Sequence, residues 1–125
     1  MTALAPLSSS LPIIADAPQR VQMRFLEFFA ANIRNANTRR AYARAANDCL
    51  TWCFGHGVRD LGAITPIHVA GWIEELSRTL STPTVKQRLA AIRHLFDWLV
   101  VGQVLPFNPA SSVRGPAYSA RSGRT

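Results

Sequence analysis

The chain has 125 residues, 48 % of them hydrophobic, with 14 Lys+Arg against 7 Asp+Glu and a net charge of +7. That size fits one small domain with tails, and the apolar content excludes a fully disordered chain. The charge favours an anionic partner, with nucleic acid ahead of a membrane surface. Arginine dominates the cations, Lys86 being the one lysine, and its planar fork of donors fits phosphates and guanine edges better than an ammonium does.

Residues 1–17 are rich in Ala, Pro and Ser without a sustained period, which predicts a flexible N-terminal tail. The tail lacks a basic start followed by an unbroken apolar core, so no signal peptide is read there. No apolar run approaches the roughly 18 residues of a membrane span. A first helix is predicted from Pro18 to about Ile33, with Val21, Phe25, Phe28 and Phe29 on its core side and Arg20, Arg24 and Glu27 outward. A second should start at Asn37 or Thr38, both good caps, and stop at Gly55 with Gly57 beyond. Its apolar stripe runs through Tyr42, Ala45 or Ala46, Cys49, Leu50 and Cys53, joined by Trp52 and Phe54. Arg40, Arg44, Asn47 and Thr51 form a polar stripe on another side.

Thr65-Pro66 then caps a third helix, in which Val69, Trp72, Ile73, Leu76 and Leu80 face the core. The fourth is capped by Ser81 or Thr82, carries Pro83 in its first turn and runs to about Val101, ending at Gly102. Along it Val85, Leu89, Ile92, Phe96 and Leu99 recur at spacings of four, three, four and three, the stripe of a 3.6-residue period. Pro106, Pro109 and Pro116 forbid further regular helix, and the small, polar, basic end reads as a linker over 107–125. No segment alternates with period two. The reading is an all-α bundle of about four helices spanning 18–106.

Chemistry is sparse. The seven carboxylates are scattered, His56, His68 and His94 are isolated and read as solvated or capping residues, and no Gly-rich phosphate loop or nucleophile elbow is present. Cys49 and Cys53 stand four apart and, with His56, amount to half a metal site, but metal motifs usually show a second ligand pair. Their Cβ vectors point the same way, which disfavours a disulfide, so small buried hydrophobes is the better account. No catalytic residue, cofactor or metal is assigned.

Two basic clusters stand out. Thr38, Arg39, Arg40 and Arg44 crowd the start of the second helix, and Thr82, Thr84, Lys86, Gln87 and Arg88 crowd the start of the fourth. Helix N-termini attract phosphates and disfavour cations, so two such placements in one chain call for an anionic partner to explain them. The competing reading is a helical protein-interaction domain that never touches DNA, using apolar side chains such as Trp98, Val100, Val101 and Leu105.

Asn37-Thr-Arg-Arg-Ala-Tyr42, Trp52 ahead of a Gly turn, and Thr65-Pro66 resemble the N-terminal core-binding domain of tyrosine recombinases, the phage-integrase family. Thr82-Pro-Thr-Val-Lys-Gln-Arg-Leu-Ala-Ala-Ile-Arg-His-Leu-Phe-Asp-Trp-Leu99, Asn108-Pro-Ala110 and Val113-Arg-Gly-Pro116 extend the match to about residues 18–118. The resemblance implies a four-helix, SAM-like domain that forms half of a clamp on a recombination half-site of double-stranded DNA, alongside other recombinase protomers, in a bacterial or phage-type cytoplasm at the nucleoid. Carried onto this chain, it nominates Thr38, Arg39, Arg40, Arg44, Thr84, Lys86, Gln87 and Arg88 as DNA contacts, with base reading expected at Lys86, Gln87 and Arg88. It also implies that the catalytic domain follows the linker. Tyr42 then belongs to the core and Tyr118 to the linker, and neither is the nucleophile.

Overall fold

A computed structural model describes residues 11–116, all helix and loop with no strand among them. Residues 1–10 of the expected tail and Tyr118 lie outside the described residues. Among the described residues five α-helices follow one another: α1 Pro12–Ala15, α2 Gln19–Glu27, α3 Ala36–Gly55, α4 Pro66–Leu76 and α5 Thr82–Val101. A π-helical turn, Phe28–Asn32, extends α2, and a single 3-10 turn, Leu61–Ala63, precedes α4.

The long pair α3 and α5 makes the largest interface among the described elements. Ala45, Ala46, Cys49, Leu50 and Cys53 of α3 and Val85, Leu89, Ile92, Leu95, Phe96 and Leu99 of α5 are all buried. The small side chains of α3 let the larger ones of α5 approach closely. At Gly71 a Cβ would stand 2.8 Å from Cη2 of Trp52, so α4 depends on that glycine to lie against α3. The indole has little room to yield, because it stacks on His56 at 3.7 Å and donates from Nε1 to Glu75 Oε1 at 3.2 Å.

The first helix differs from expectation in its last turn. Phe25, Phe28 and Phe29 are all fully buried. Phe28 and Phe29 fall in the π-turn, whose wider winding rotates less per residue than an α-helix and so brings two adjacent rings closer to one direction. The three rings meet edge to face at 5.1–5.2 Å, the geometry aromatic quadrupoles favour.

The stretch 11–17, expected as tail, is instead packed. Leu11, Ile13 and Ile14 are at most 1 % exposed, and Gln22 Nε2 holds the Ala15 and Ala17 carbonyls. Its apolar set is too short to show a helical period, which is why composition alone misreads it. The expected linker also begins folded: Ala110 and Val113 are buried. Among the rival reading's apolar residues, Trp98 is half-buried and donates from Nε1 to Arg24 O at 2.9 Å, Val100 is half-buried, Leu105 is buried, and Val101 alone is exposed.

Candidate nucleic-acid interface

The starts of α3 and α5 are set by side-chain caps. Asn35, not Asn37 or Thr38, caps α3: its Oδ1 accepts from Asn37 N at 2.9 Å and Thr38 N at 3.0 Å. Asn37 instead accepts from the Arg40 guanidinium. Ser81 caps α5, accepting from Thr84 N and sharing a 2.9 Å hydroxyl contact with Thr84 Oγ1. Each cap satisfies donors that a bare helix start would leave unpaired.

Packing of α3 on α5 brings the two basic starts to one groove of about 530 Å³, lined by Arg40, Ala41, Tyr42, Ala43, Arg44, Thr84, Gln87, Arg88 and Ala91. Five of the eight residues nominated from sequence therefore meet here. Arg40 and Arg44 are exposed and continue through exposed Asn47 and Thr51 along α3. On α5, Lys86, Gln87 and Ala90 are exposed together. A small side chain at Ala90 lets the helix approach a surface closely while its polar neighbours reach forward.

Three nominated residues have other employment. Arg39 is half-buried, donating from Nε to Phe29 O at 2.8 Å and from Nη2 to Ile33 O at 2.7 Å. These carbonyls end the preceding helix, where unpaired acceptors and the negative end of the dipole favour a cation. Arg39 stands at the start of one helix in sequence and at the end of another in space. Thr38 is exposed outside the groove, its N–H held by Asn35. Arg88 lines the groove but pairs with Asp48 of α3, and its side chain is only 15 % exposed. Such a pair couples the two helices, and removing one partner leaves the other charge stranded in a half-buried site. Arg88 is thus placed to hold the two helices together across the groove. Lys86 lies on the other flank of α5, beside Leu89, Arg93, Arg114, Gly115 and Pro116.

The histidines do local work. His68 Nδ1 accepts from Thr65 N at 3.0 Å while Thr65 Oγ1 accepts from His68 N, a reciprocal cap in which His takes the place usually held by Glu or Gln. His56 stacks on Trp52 at the end of α3. His94 lies edge-on to Phe28 and Tyr42 with Asn32 Nδ2 3.2 Å from its Nε2. Cys49 and Cys53 are buried free thiols. The hydrogen bond between them, with burial, raises the Cys49 pKa well above its usual value; accepting that bond lowers Cys53 despite burial. Among the described residues no three His, Cys, Asp or Glu side chains gather as a metal site, and no helix is long and apolar enough to cross a membrane.

Arg93 and Arg114 escaped sequence reasoning. Arg93 falls seven residues after Lys86 and so shares its flank of α5, a signal readable from the period, but Arg114 reaches that flank only through the folded chain that follows.

Residues 23–102, well over half of the chain, match the family model for phage integrase, N-terminal SAM-like domain. No curated protein and no solved structure matches.

Proposed function

The chain belongs to the phage integrase N-terminal SAM-like domain family, and from that premise we propose that it is a duplex-DNA-binding module of a site-specific recombinase. In this reading the groove between α3 and α5 faces a recombination half-site, while strand cutting and rejoining belong to a catalytic domain outside these residues. Other recombinase protomers would occupy the remaining half-sites, and the work would be done at the nucleoid, in the cytoplasm.

The observation that carries the proposal is the meeting of Arg40, Arg44, Thr84 and Gln87 on one open groove. Two separate clusters of cations and amide or hydroxyl donors, 40 or more residues apart in sequence, face one surface. Arg40 and Arg44 suit phosphate oxygens, which fix position without reading sequence. Gln87 presents an amide able to take adenine in a bidentate manner, and Lys86 a donor for guanine acceptors. Among the described residues the large exposed hydrophobics are Met23, Ile67, Val101 and Phe107, each on a different segment of the chain.

Binding through phosphates should weaken steeply with salt. Fluorescence anisotropy with a short labelled duplex, titrated over a salt series, is the test. Charge reversal by Arg40→Glu with Arg44→Glu should weaken binding by at least roughly tenfold at low salt and flatten the salt dependence. Absence of binding to any duplex at low salt, or binding indifferent to the reversal, would refute the proposal. Gln87→Ala should reduce preference for a cognate site more than it reduces binding to an arbitrary duplex.

A further inference from the structure

Three arginines line the α3–α5 groove, and they are not equivalent. Arg40 and Arg44 are exposed and have no carboxylate partner among the described residues; the Arg40 guanidinium reaches only the neutral Asn37 amide. Arg88 is held. Its Nη1 donates to Asp48 Oδ2, and among the described residues that is the one hydrogen bond its guanidinium makes. Asp48 stands one turn beyond Arg44 on α3, so its carboxylate shares a side of that helix with a cation of the groove.

A phosphate approaching the groove therefore meets two kinds of arginine. Arg40 and Arg44 present a full positive charge, whereas Arg88 and Asp48 together present nearly none. For Arg88 to take a phosphate oxygen it must leave Asp48 or divide itself between two anions that repel each other. Its Nε and Nη2 donors are nonetheless unspent, and its side chain lines the groove in which a phosphate would lie.

We propose that Asp48 holds Arg88 out of DNA contact and so limits the phosphate contacts of the groove: Arg40 and Arg44 hold the backbone, and Arg88 is a latent third site that neutralising Asp48 releases. The inference rests on the reading of the α3–α5 groove as a DNA interface. It makes Asp48 a specificity determinant. Phosphate contacts raise affinity for every sequence alike, so a carboxylate that removes one leaves a larger share of the binding to base contacts such as those of Gln87. With the carboxylate gone, Arg88 is a half-buried cation without a counter-ion, and a phosphate in the groove is the anion within its reach.

The test uses the whole chain and a short fluorescein-labelled duplex of arbitrary sequence, with anisotropy followed over a salt series. Asp48→Asn keeps the side chain's shape and an oxygen to accept from Arg88, and withdraws only the charge. It should tighten binding several-fold at low salt and steepen the slope of log affinity against log salt by about one, the signature of one gained phosphate contact. Adding Arg88→Gln should cancel that gain and return the slope to the parent's, the coupling expected of two residues acting as a unit. Arg44→Ala, run alongside, should flatten the slope and reports on the groove itself. An unchanged or flatter slope in Asp48→Asn, when Arg44→Ala flattens it, overturns the latent site and leaves the groove reading intact. Slopes unchanged in both overturn the two together. A steeper slope that survives the addition of Arg88→Gln comes from lost repulsion alone and overturns the release of Arg88. A double variant flatter than the parent by about one contact means that Arg88 already holds a phosphate, and overturns the proposal as well. Should Asp48→Asn melt below the assay temperature, the double variant, which strands neither charge, carries the decision.

Discussion

Arg39 and Arg40 are neighbours in sequence that serve different partners. The Arg39 guanidinium closes the π-turn after α2 by taking the Phe29 and Ile33 carbonyls, whereas Arg40 is exposed, reaches only to Asn37 and lines the groove. Removing Arg39 strands two half-buried acceptors, each costly to leave unmade. Arg39→Ala should therefore lower the unfolding free energy by about 1–3 kcal/mol. Chemical denaturation reads this directly. With the protein still folded, its duplex affinity should fall less than that of Arg40→Ala; the reverse ranking would return Arg39 to the DNA contacts.

Helix ends show how much of an element is written locally. At the end of α3, Gly57 adopts φ 93°, with Val58 N bonded to Cys53 O at 3.0 Å and Gly57 N to Phe54 O at 3.2 Å. This is the left-handed stop that glycine favours. At the end of α5 the same pair of bonds forms, Val104 N to Leu99 O at 2.8 Å and Gln103 N to Val100 O at 3.0 Å. Here the left-handed residue is Gln103, at φ 63°, and Gly102 stays right-handed at φ −78°. The glycine signal is thus one residue early. Arg20 reinforces the stop, donating to Gly102 O at 3.2 Å and Gln103 O at 2.8 Å. Glycine at 103 would shed the Cβ penalty of the left-handed region while losing more chain entropy on folding. The balance predicts that Gln103→Gly stabilises by about 0.5 kcal/mol. A lower midpoint in urea for this variant would contradict it.

At the scale of the molecule, the α3–α5 pair is a platform closed at its edges by segments that contribute no long helix. The stretch 11–17 is one of them, with Ile14 fully buried. Ile14→Ala should cost about 2–5 kcal/mol, the usual range for opening a core cavity. Met23→Ala, at a position 50 % exposed, should stay within about 0.5 kcal/mol of the parent. Thermal and denaturant melts of the two variants decide the matter: equal, small losses would mean that 11–17 lies on the core without belonging to it. A rigid platform matters for the proposed function because Arg40 and Arg44 on α3 and Gln87 on α5 line one groove and need fixed spacing across it. The Arg88–Asp48 pair across α3 and α5 serves that spacing.

The three long elements, their apolar faces and most of their caps are legible in the chain because they depend on relations three or four residues apart. Val85 to Leu99 marks the buried face of α5, Thr65-Pro66 opens α4, and Gly57 stops α3. Composition likewise points to an anionic partner, since no folding event changes the excess of arginine. What each arginine does with its charge is another matter. Arg39 meets carbonyls ten and six residues before it, Arg88 meets a carboxylate 40 residues away, and Arg93 meets carbonyls 17 and 20 residues on. A guanidinium pairs with whatever acceptor packing brings within about 3 Å. The division of these arginines between holding the fold and facing the groove is therefore a property of the assembled bundle, set by which helix lies against which.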